Sequence, residues 1–225
     1  MKKLLILILS SILMLTSLSL VACGNNDTAT LPDVNGMTLM SWNQAVSGDY
    51  LSNITETATQ ELYSEKGDVD SRSDMRCVTK YNKDILYQEF SEVNKHYAVR
   101  GTLGQPDLII EYDADRDVYV ADTFPVGFTF ETMTIKATLS TMLLNKFALF
   151  SFDADKGCYT AYNFTISFGI TADEFSVWIE DGKIVKYYYE ATYDQILGGM
   201  YTIVEGRLSN AGTTQTLTLP EYELA

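Results

Sequence analysis

The feature that most limits the fold of this chain is a two-residue alternation of apolar and polar side chains, which dominates the sequence after Gly36. Segment 183–193, "KIVKYYYEATY", is typical, because every second residue from Val185 to Tyr193 is apolar or aromatic. Successive side chains of a strand point to opposite faces, so this period predicts strands. The 15 tyrosines and an aromatic fraction of 12% also favour sheet over helix.

Turn-forming residues divide the alternating region into antiparallel strands. The strands expected in its first half are 53–63, 75–81, 85–90, 108–112 and 118–121. Strands resume after 148, where the Asp-Gly pair of "EDGK" (180–183) predicts a two-residue hairpin. Pro220 is expected to end the last strand, "TQTLTL" (214–219).

One long segment departs from the alternation. In 131–147, apolar residues recur at helical spacing without Gly or Pro, which predicts a helix. The earlier stretch "SWNQAV" (41–46) could form a short helix. Residues 37–225 are therefore expected to form a single α+β domain with an antiparallel sheet.

The amino terminus carries a secretory signal. Lys2 and Lys3 precede an uncharged apolar stretch, 4–20, which runs into "LVAC" at 20–23. These four residues resemble the lipobox of bacterial lipoproteins, which implies removal of residues 1–22 and attachment of a diacylglyceryl group, as in palmitate-modified proteins, to Cys23. Two acyl chains are enough for a stable anchor. The alternatives are an uncleaved signal anchor and an ordinary cleavage site with an incidental cysteine.

Segment 23–36 is small, polar and turn-forming, so we expect it to be the lipid anchor followed by a flexible tether. The expected location is extracytoplasmic, on the bacterial cell membrane, or on the outer membrane if the host has two. The net charge of −14, with no basic cluster, argues against nucleic acid as a partner and against membrane binding by charge. We expect a monomer whose membrane contact is the anchor on Cys23.

Residues typical of catalytic sites are scarce. His96 is the single histidine, and neither a nucleophile elbow nor an active-cysteine signature occurs, so no enzyme activity, metal or cofactor is predicted. Cys77 and Cys158 could form a disulfide in an oxidising compartment, although two buried free thiols are favoured.

A short repeat joins "YDADRDVYVA" (112–121) and "FDADKGCYTA" (152–161). Gly157 is expected at the left-handed position of the second turn and Asp117 at that of the first. The spacing of the acids begins like a calcium loop, but Val118 and Phe124 replace the required Gly and Glu, so solvated hairpin turns are favoured.

Two strand faces are rich in aromatic residues, and strand geometry places each set on one side of the sheet. The first set is Tyr162, Phe164, Ile166 and Phe168, and the second is Val185, Tyr187, Tyr189, Ala191 and Tyr193. They could pack under the helix as an ordinary core. Alternatively, they could line a partly covered concave sheet and leave an apolar ligand cavity.

The order of elements resembles that of LolA/LppX-type envelope lipoproteins, with "DADKGCYTA", "IEDGKI" and "TLTLP" as the closest local matches. The resemblance implies a curved, half-barrel-like antiparallel sheet packed on one or two helices, with an apolar cavity for a lipid or lipoprotein. The expected function is thus that of a membrane-anchored lipoprotein binding or carrying an apolar ligand. The alternative is an envelope structural or protein-interaction module with a packed core and no small-molecule ligand.

Overall fold

The structure, a computed structural model, describes residues 35–90, 94–102, 105–124, 126–167, 169–194, 199–213 and 216–225. Two predicted site residues, Cys23 and Phe168, lie outside the described residues. The described strands are β1 Asn53–Tyr63, β2 Ser73–Asn82, β3 Ile85–Phe90, β4 Asn94–Val99, β5 Leu108–Asp113, β6 Val118–Thr123, β7 Ser151–Asp153, β8 Cys158–Ser167, β9 Ile170–Glu180, β10 Lys183–Tyr193, β11 Tyr201–Ser209 and β12 Tyr222–Leu224. The described helices are α1 Leu39–Ser47 and α2 Ile135–Leu143.

All twelve strands belong to one open sheet with the order β12-β6-β5-β4-β3-β2-β1-β11-β10-β9-β8-β7. Every neighbouring pair is antiparallel except β12 and β6, which are parallel. The strands form two meanders, β1 to β6 and β7 to β11, which are joined where β1 pairs with β11. The predicted α+β fold, a curved antiparallel sheet packed on helices, is confirmed.

The hairpin turns form where the sequence predicts them. Glu180 pairs with Lys183 across the Asp-Gly turn, and both turn residues have positive φ, 48° for Asp181 and 71° for Gly182. Asp117 and Gly157 likewise take the left-handed positions of the two repeated turns, with φ of 55° and 66°. Each turn therefore reverses the chain with residues that tolerate this backbone conformation.

Two predicted boundaries differ from the structure. The predicted helix at 131–147 is shorter: its α-helical part is Ile135–Leu143, and one-turn 3₁₀ helices flank it at Glu131–Met133 and Phe147–Leu149. Thr134 fixes the start of α2, because its Oγ1 accepts a hydrogen bond from the Ala137 amide at 3.1 Å.

The predicted last strand at 214–219 was wrong for the residues described there, since 216–219 are irregular. Residues 216–219 lie in the chain between β11, which is inside the sheet order, and β12 at its edge, and they pair with no strand. Alternation alone does not make a strand where a pairing partner is absent.

The two helices cover one face of the sheet and bury the main core against it. Trp42 of α1 is fully buried, and its indole Nε1 donates a hydrogen bond of 2.9 Å to the Leu143 carbonyl at the end of α2. Both described α-helices have nine residues, and no helix in the described part of the chain has the length and apolar character needed to cross a membrane.

Candidate functional site

At the end of the sheet formed by β7, β8 and β9, the helix-covered face is filled by aromatic rings. The Trp42 ring lies 4.7 Å from Phe150, and Phe164 lies 5.3 Å from both Phe150 and Phe175, measured between ring centroids. Phe175 stacks in turn on Tyr189 at 5.3 Å. This half of the covered face is therefore an ordinary packed core.

Towards β1, β2 and β3 the same face is not filled. A partly open cavity of about 130 Å³ lies between α2 and the strands β1, β2, β3, β10 and β11. Its lining is predominantly apolar, and the apolar side chains include those of Ala58, Met75, Phe90, Leu139, Met142 and Val204. We call this space the α2 cavity.

A row of polar side chains crosses the sheet side of the α2 cavity. Glu56, Thr79, Gln88 and His96 are successive register partners on β1, β2, β3 and β4, so they form one cross-strand row. His96 Nε2 donates to Gln88 Oε1 at 2.7 Å, and Gln88 Nε2 donates to Thr79 Oγ1 at 3.3 Å. Thr79 in turn hydrogen-bonds the carboxylate of Glu56. The row therefore ends on Glu56.

Glu56 has a second donor from a different part of the sheet. The Tyr187 hydroxyl, on β10, donates to Glu56 Oε1 at 2.6 Å. Burial raises the pKa of Glu56, and the hydrogen bonds from Tyr187 and Thr79 offset only part of that rise. Burial and the neighbouring Glu56 carboxylate together raise the pKa of Tyr187 well above its ordinary value. The Tyr187 hydroxyl thus positions the ionisable carboxyl of Glu56 beside the apolar α2 cavity.

Two other groups at this site have shifted pKa values, and burial is the main cause in each case. Burial lowers the pKa of His96 to about 4, so the imidazole is neutral near pH 7 and carries its proton on Nε2. Burial raises the pKa of the Cys77 thiol, which borders the cavity, to about 12. Cys77 and Cys158 are both free. Neither the imidazole nor the Cys77 thiol is therefore charged near pH 7.

The predicted site residues are divided between the cavity and the core. Tyr187 and Tyr189 line the α2 cavity. Phe164, Ile166 and Tyr193 are buried in the packed core. The predicted aromatic faces therefore supply one wall of the α2 cavity and much of the packed core beside it.

Val185 and Tyr162 do not take the positions predicted for them. A β-bulge between Ile184 and Lys186 shifts the alternation on β10, so Ile184 is buried and Val185 is only half-buried. On β8 the left-handed Asn163, with φ of 51°, breaks the alternation. Tyr162 is 61% exposed as a result.

Sequence reasoning missed the polar row. Its signal was present in β1, where Glu56 and Gln60 share the alternation of Ile54 and Ala58 and so belong to the inward face. An acid on the apolar side of a strand pattern indicates a buried polar site. The partners of Glu56 could not be identified without the strand register.

A broader depression of about 640 Å³ lies beside Tyr81 and Arg100. Most of its charged groups already have partners, since Arg100 pairs with Asp84 at 3.3 Å and with Glu131, and Asp49 pairs with Lys136 at 3.0 Å. The α2 cavity, which is more apolar and better enclosed, is therefore the stronger candidate site.

The chain matches no protein-family model and shows no significant similarity to curated proteins. Within the part of the chain that the structure describes, no group of three or more His, Cys, Asp or Glu side chains is placed to hold a metal ion.

Proposed function

We propose that this protein is a lipid-anchored, extracytoplasmic binding protein that holds an apolar ligand, or the apolar part of a larger one, in the α2 cavity. The observation that carries the proposal is the cavity itself. It lies on one half of the helix-covered sheet face, whereas the other half of that face is tightly packed. Protein interiors are normally close-packed, so an apolar space with a few convergent polar groups is typical of a ligand site.

The size of the cavity limits what it can hold. An engineered apolar cavity of roughly 150 Å³ binds benzene, so the 130 Å³ of the α2 cavity suits one ring or the end of a hydrocarbon chain of similar size. A longer acyl chain would extend through the open side or displace α2. The proposed ligand is therefore a small apolar molecule or one end of a lipid.

The anchor belongs to the same proposal. The leader and the "LVAC" residues at 20–23 support acylation of Cys23, and the polar segment that follows would let the domain reach ligands near the membrane surface. The membrane would then keep the protein close to any lipid-derived ligand.

Native mass spectrometry tests the binding proposal. The mature chain, residues 23–225, would be produced in a bacterial host without its leader and purified without detergent. We expect either co-purified mass that denaturation removes or uptake of added fatty acid, phospholipid or benzene-sized apolar probe. A bare protein mass with none of these taken up would contradict the proposal.

Two variants make this experiment specific to the cavity. Ala58→Leu adds a side chain that fills the α2 cavity from β1, whereas Thr59→Leu adds similar bulk at the neighbouring, exposed position of the same strand. We expect Ala58→Leu to reduce the bound fraction by about tenfold or more and Thr59→Leu to leave it unchanged. Equal losses in both variants would place the bound mass elsewhere.

A further inference from the structure

The hydrogen bonds around Glu56 all run in one direction. His96 donates to Gln88, Gln88 donates to Thr79, and the carboxylate of Glu56 is the final acceptor of that row and of the Tyr187 hydroxyl. A carboxylate has about four lone-pair sites, and these two hydrogen bonds use about half of them. Glu56 also borders the α2 cavity, so its remaining acceptor capacity is available to a ligand there.

This carboxylate has no positive partner in the protein. Among the side chains that the structure describes, no Lys, Arg or His forms an ion pair with Glu56, and no positive charge contributes to its pKa. Glu56 is half-buried, and carboxylates with restricted access to water are normally paired, because an isolated charge away from water is costly. Burial raises the pKa of Glu56, and a cationic ligand in the α2 cavity would stabilise its ionised form.

We propose that the natural ligand of the α2 cavity is an apolar amine, whose protonated nitrogen hydrogen-bonds the Glu56 carboxylate and whose hydrocarbon part fills the space under α2. The inference depends on the proposed function and names the ligand class for the same site. An ammonium group supplies both the missing charge and the donors that the free lone pairs of Glu56 can accept.

Other ligand classes fit this site less well. A fatty-acid carboxylate would place a second negative charge beside Glu56, which is unfavourable at short range in an apolar setting. A neutral alcohol could donate one hydrogen bond but would leave the carboxylate without a counter-charge. The net charge of −14 also raises the local concentration of cations around the protein and lowers that of anions.

The test compares three six-carbon probes that differ in their polar end: hexylamine, hexan-1-ol and hexanoate. Calorimetric titration of the mature chain, residues 23–225, at about neutral pH measures the affinity for each. We expect hexylammonium to bind about tenfold or more tightly than hexan-1-ol, as a charge-assisted hydrogen bond would provide. Hexanoate should bind most weakly of the three.

Glu56→Gln removes the charge with little change in shape, and Glu65→Gln removes a charge from an exposed position. In Glu56→Gln the preference for hexylammonium over hexan-1-ol should disappear, while binding of hexan-1-ol persists. Glu65→Gln should retain the preference of the parent. Persistent binding of hexan-1-ol also shows that Glu56→Gln is folded with its cavity intact.

The outcomes separate this inference from the proposed function. Binding of all three probes with similar affinity, or a preference for hexylammonium that survives Glu56→Gln, would overturn the amine proposal and leave an apolar site standing. Failure of every probe, including hexan-1-ol and a benzene-sized hydrocarbon, would overturn the proposed function as well. Tightest binding of hexanoate would replace the amine by a fatty acid.

Discussion

The phenol ring of Tyr187 lies directly over Gly206, its register partner on β11, and a β-carbon at position 206 would overlap the ring. Tyr187 is on β10 and Glu56 is on β1, with β11 between them. The ring can cross that intervening strand only because Gly206 has no side chain. Gly206 therefore makes the hydrogen bond between Tyr187 and Glu56 sterically possible.

Gly206→Ala should destabilise the protein by about 1–3 kcal/mol, the range typical of overpacking a well-packed site. The added methyl would push the Tyr187 ring away from β11 and break its 2.6 Å hydrogen bond to Glu56. Urea unfolding of the mature chain measures the loss.

A double-mutant cycle identifies Tyr187 as the cause. In a Tyr187→Ala background the ring is absent, and Gly206→Ala should instead be neutral or stabilising by up to about 1 kcal/mol, because Ala is normally preferred to Gly within a strand. The same loss in both backgrounds would show that the methyl group conflicts with something other than Tyr187.

Glu56 should make the unfolding free energy fall as pH rises above its ordinary pKa of 4.5. Burial raises the pKa in the folded state, so between 4.5 and the raised value the folded chain holds a proton that the unfolded chain has released. The stability advantage of the protonated form is present below 4.5 and is lost as pH rises through the folded-state pKa. The slope from one such group cannot exceed about 1.4 kcal/mol per pH unit.

Comparison with Glu56→Gln isolates this contribution. The unfolding free energy of Glu56→Gln relative to the parent should increase as pH rises from 4.5 towards 7, and Glu65→Gln, at an exposed position, controls for the loss of one negative charge. A constant difference for Glu56→Gln across this range would mean that the Glu56 carboxyl is not held in an environment that favours its protonated form.

Much of this fold could be predicted from the sequence because its determinants are local. The period-two pattern located β1, β2 and β3 within a few residues, and the Asp-Gly pair at 181–182 fixed a hairpin through backbone preference alone. Prediction failed at 216–219, where the same alternation pairs with no strand.

The candidate site was harder to predict because it depends on register and on irregularities. Val185 and Tyr162 were placed on inward faces by strict alternation, which the bulge near Val185 and the left-handed Asn163 interrupt. The row from Glu56 to His96 joins four strands, and its members become neighbours only when each pair of strands takes its observed register. No local pattern specifies that alignment.

His96 should remain neutral over the whole range from about pH 5.5 to 8. It is the single histidine of the chain, so its imidazole signals in an NMR titration are unambiguous. Burial lowers its pKa from 6.5 to about 4, and we expect the chemical shifts to change only as pH approaches that value. A midpoint near 6.5 would show that the imidazole is in contact with solvent.

The lowered pKa of His96 also predicts that the folded protein loses stability in acid. Between about pH 4 and 6.5, His96 is protonated in the unfolded chain but not in the folded chain. The unfolding free energy therefore decreases as pH falls through this window. The full difference amounts to about 3 kcal/mol by linkage. It opposes the trend from Glu56 in the overlapping range, so the two are separated by repeating the measurement on His96→Asn. The acid-dependent loss should be smaller in that variant, and an unchanged loss would assign it to another group.

The proposed acylation of Cys23 predicts that the full-length chain, expressed in a bacterial host, partitions with membranes and incorporates labelled palmitate. In Cys23→Ala the thioether cannot form, so the label should be lost, because the anchor depends on the sulfur. Cys77→Ala is the matched control, since it removes a half-buried free thiol from β2 and should leave labelling unchanged. Membrane association of Cys23→Ala at the parental level without label would instead favour an uncleaved signal anchor, because an apolar leader of this length can nearly span a bilayer.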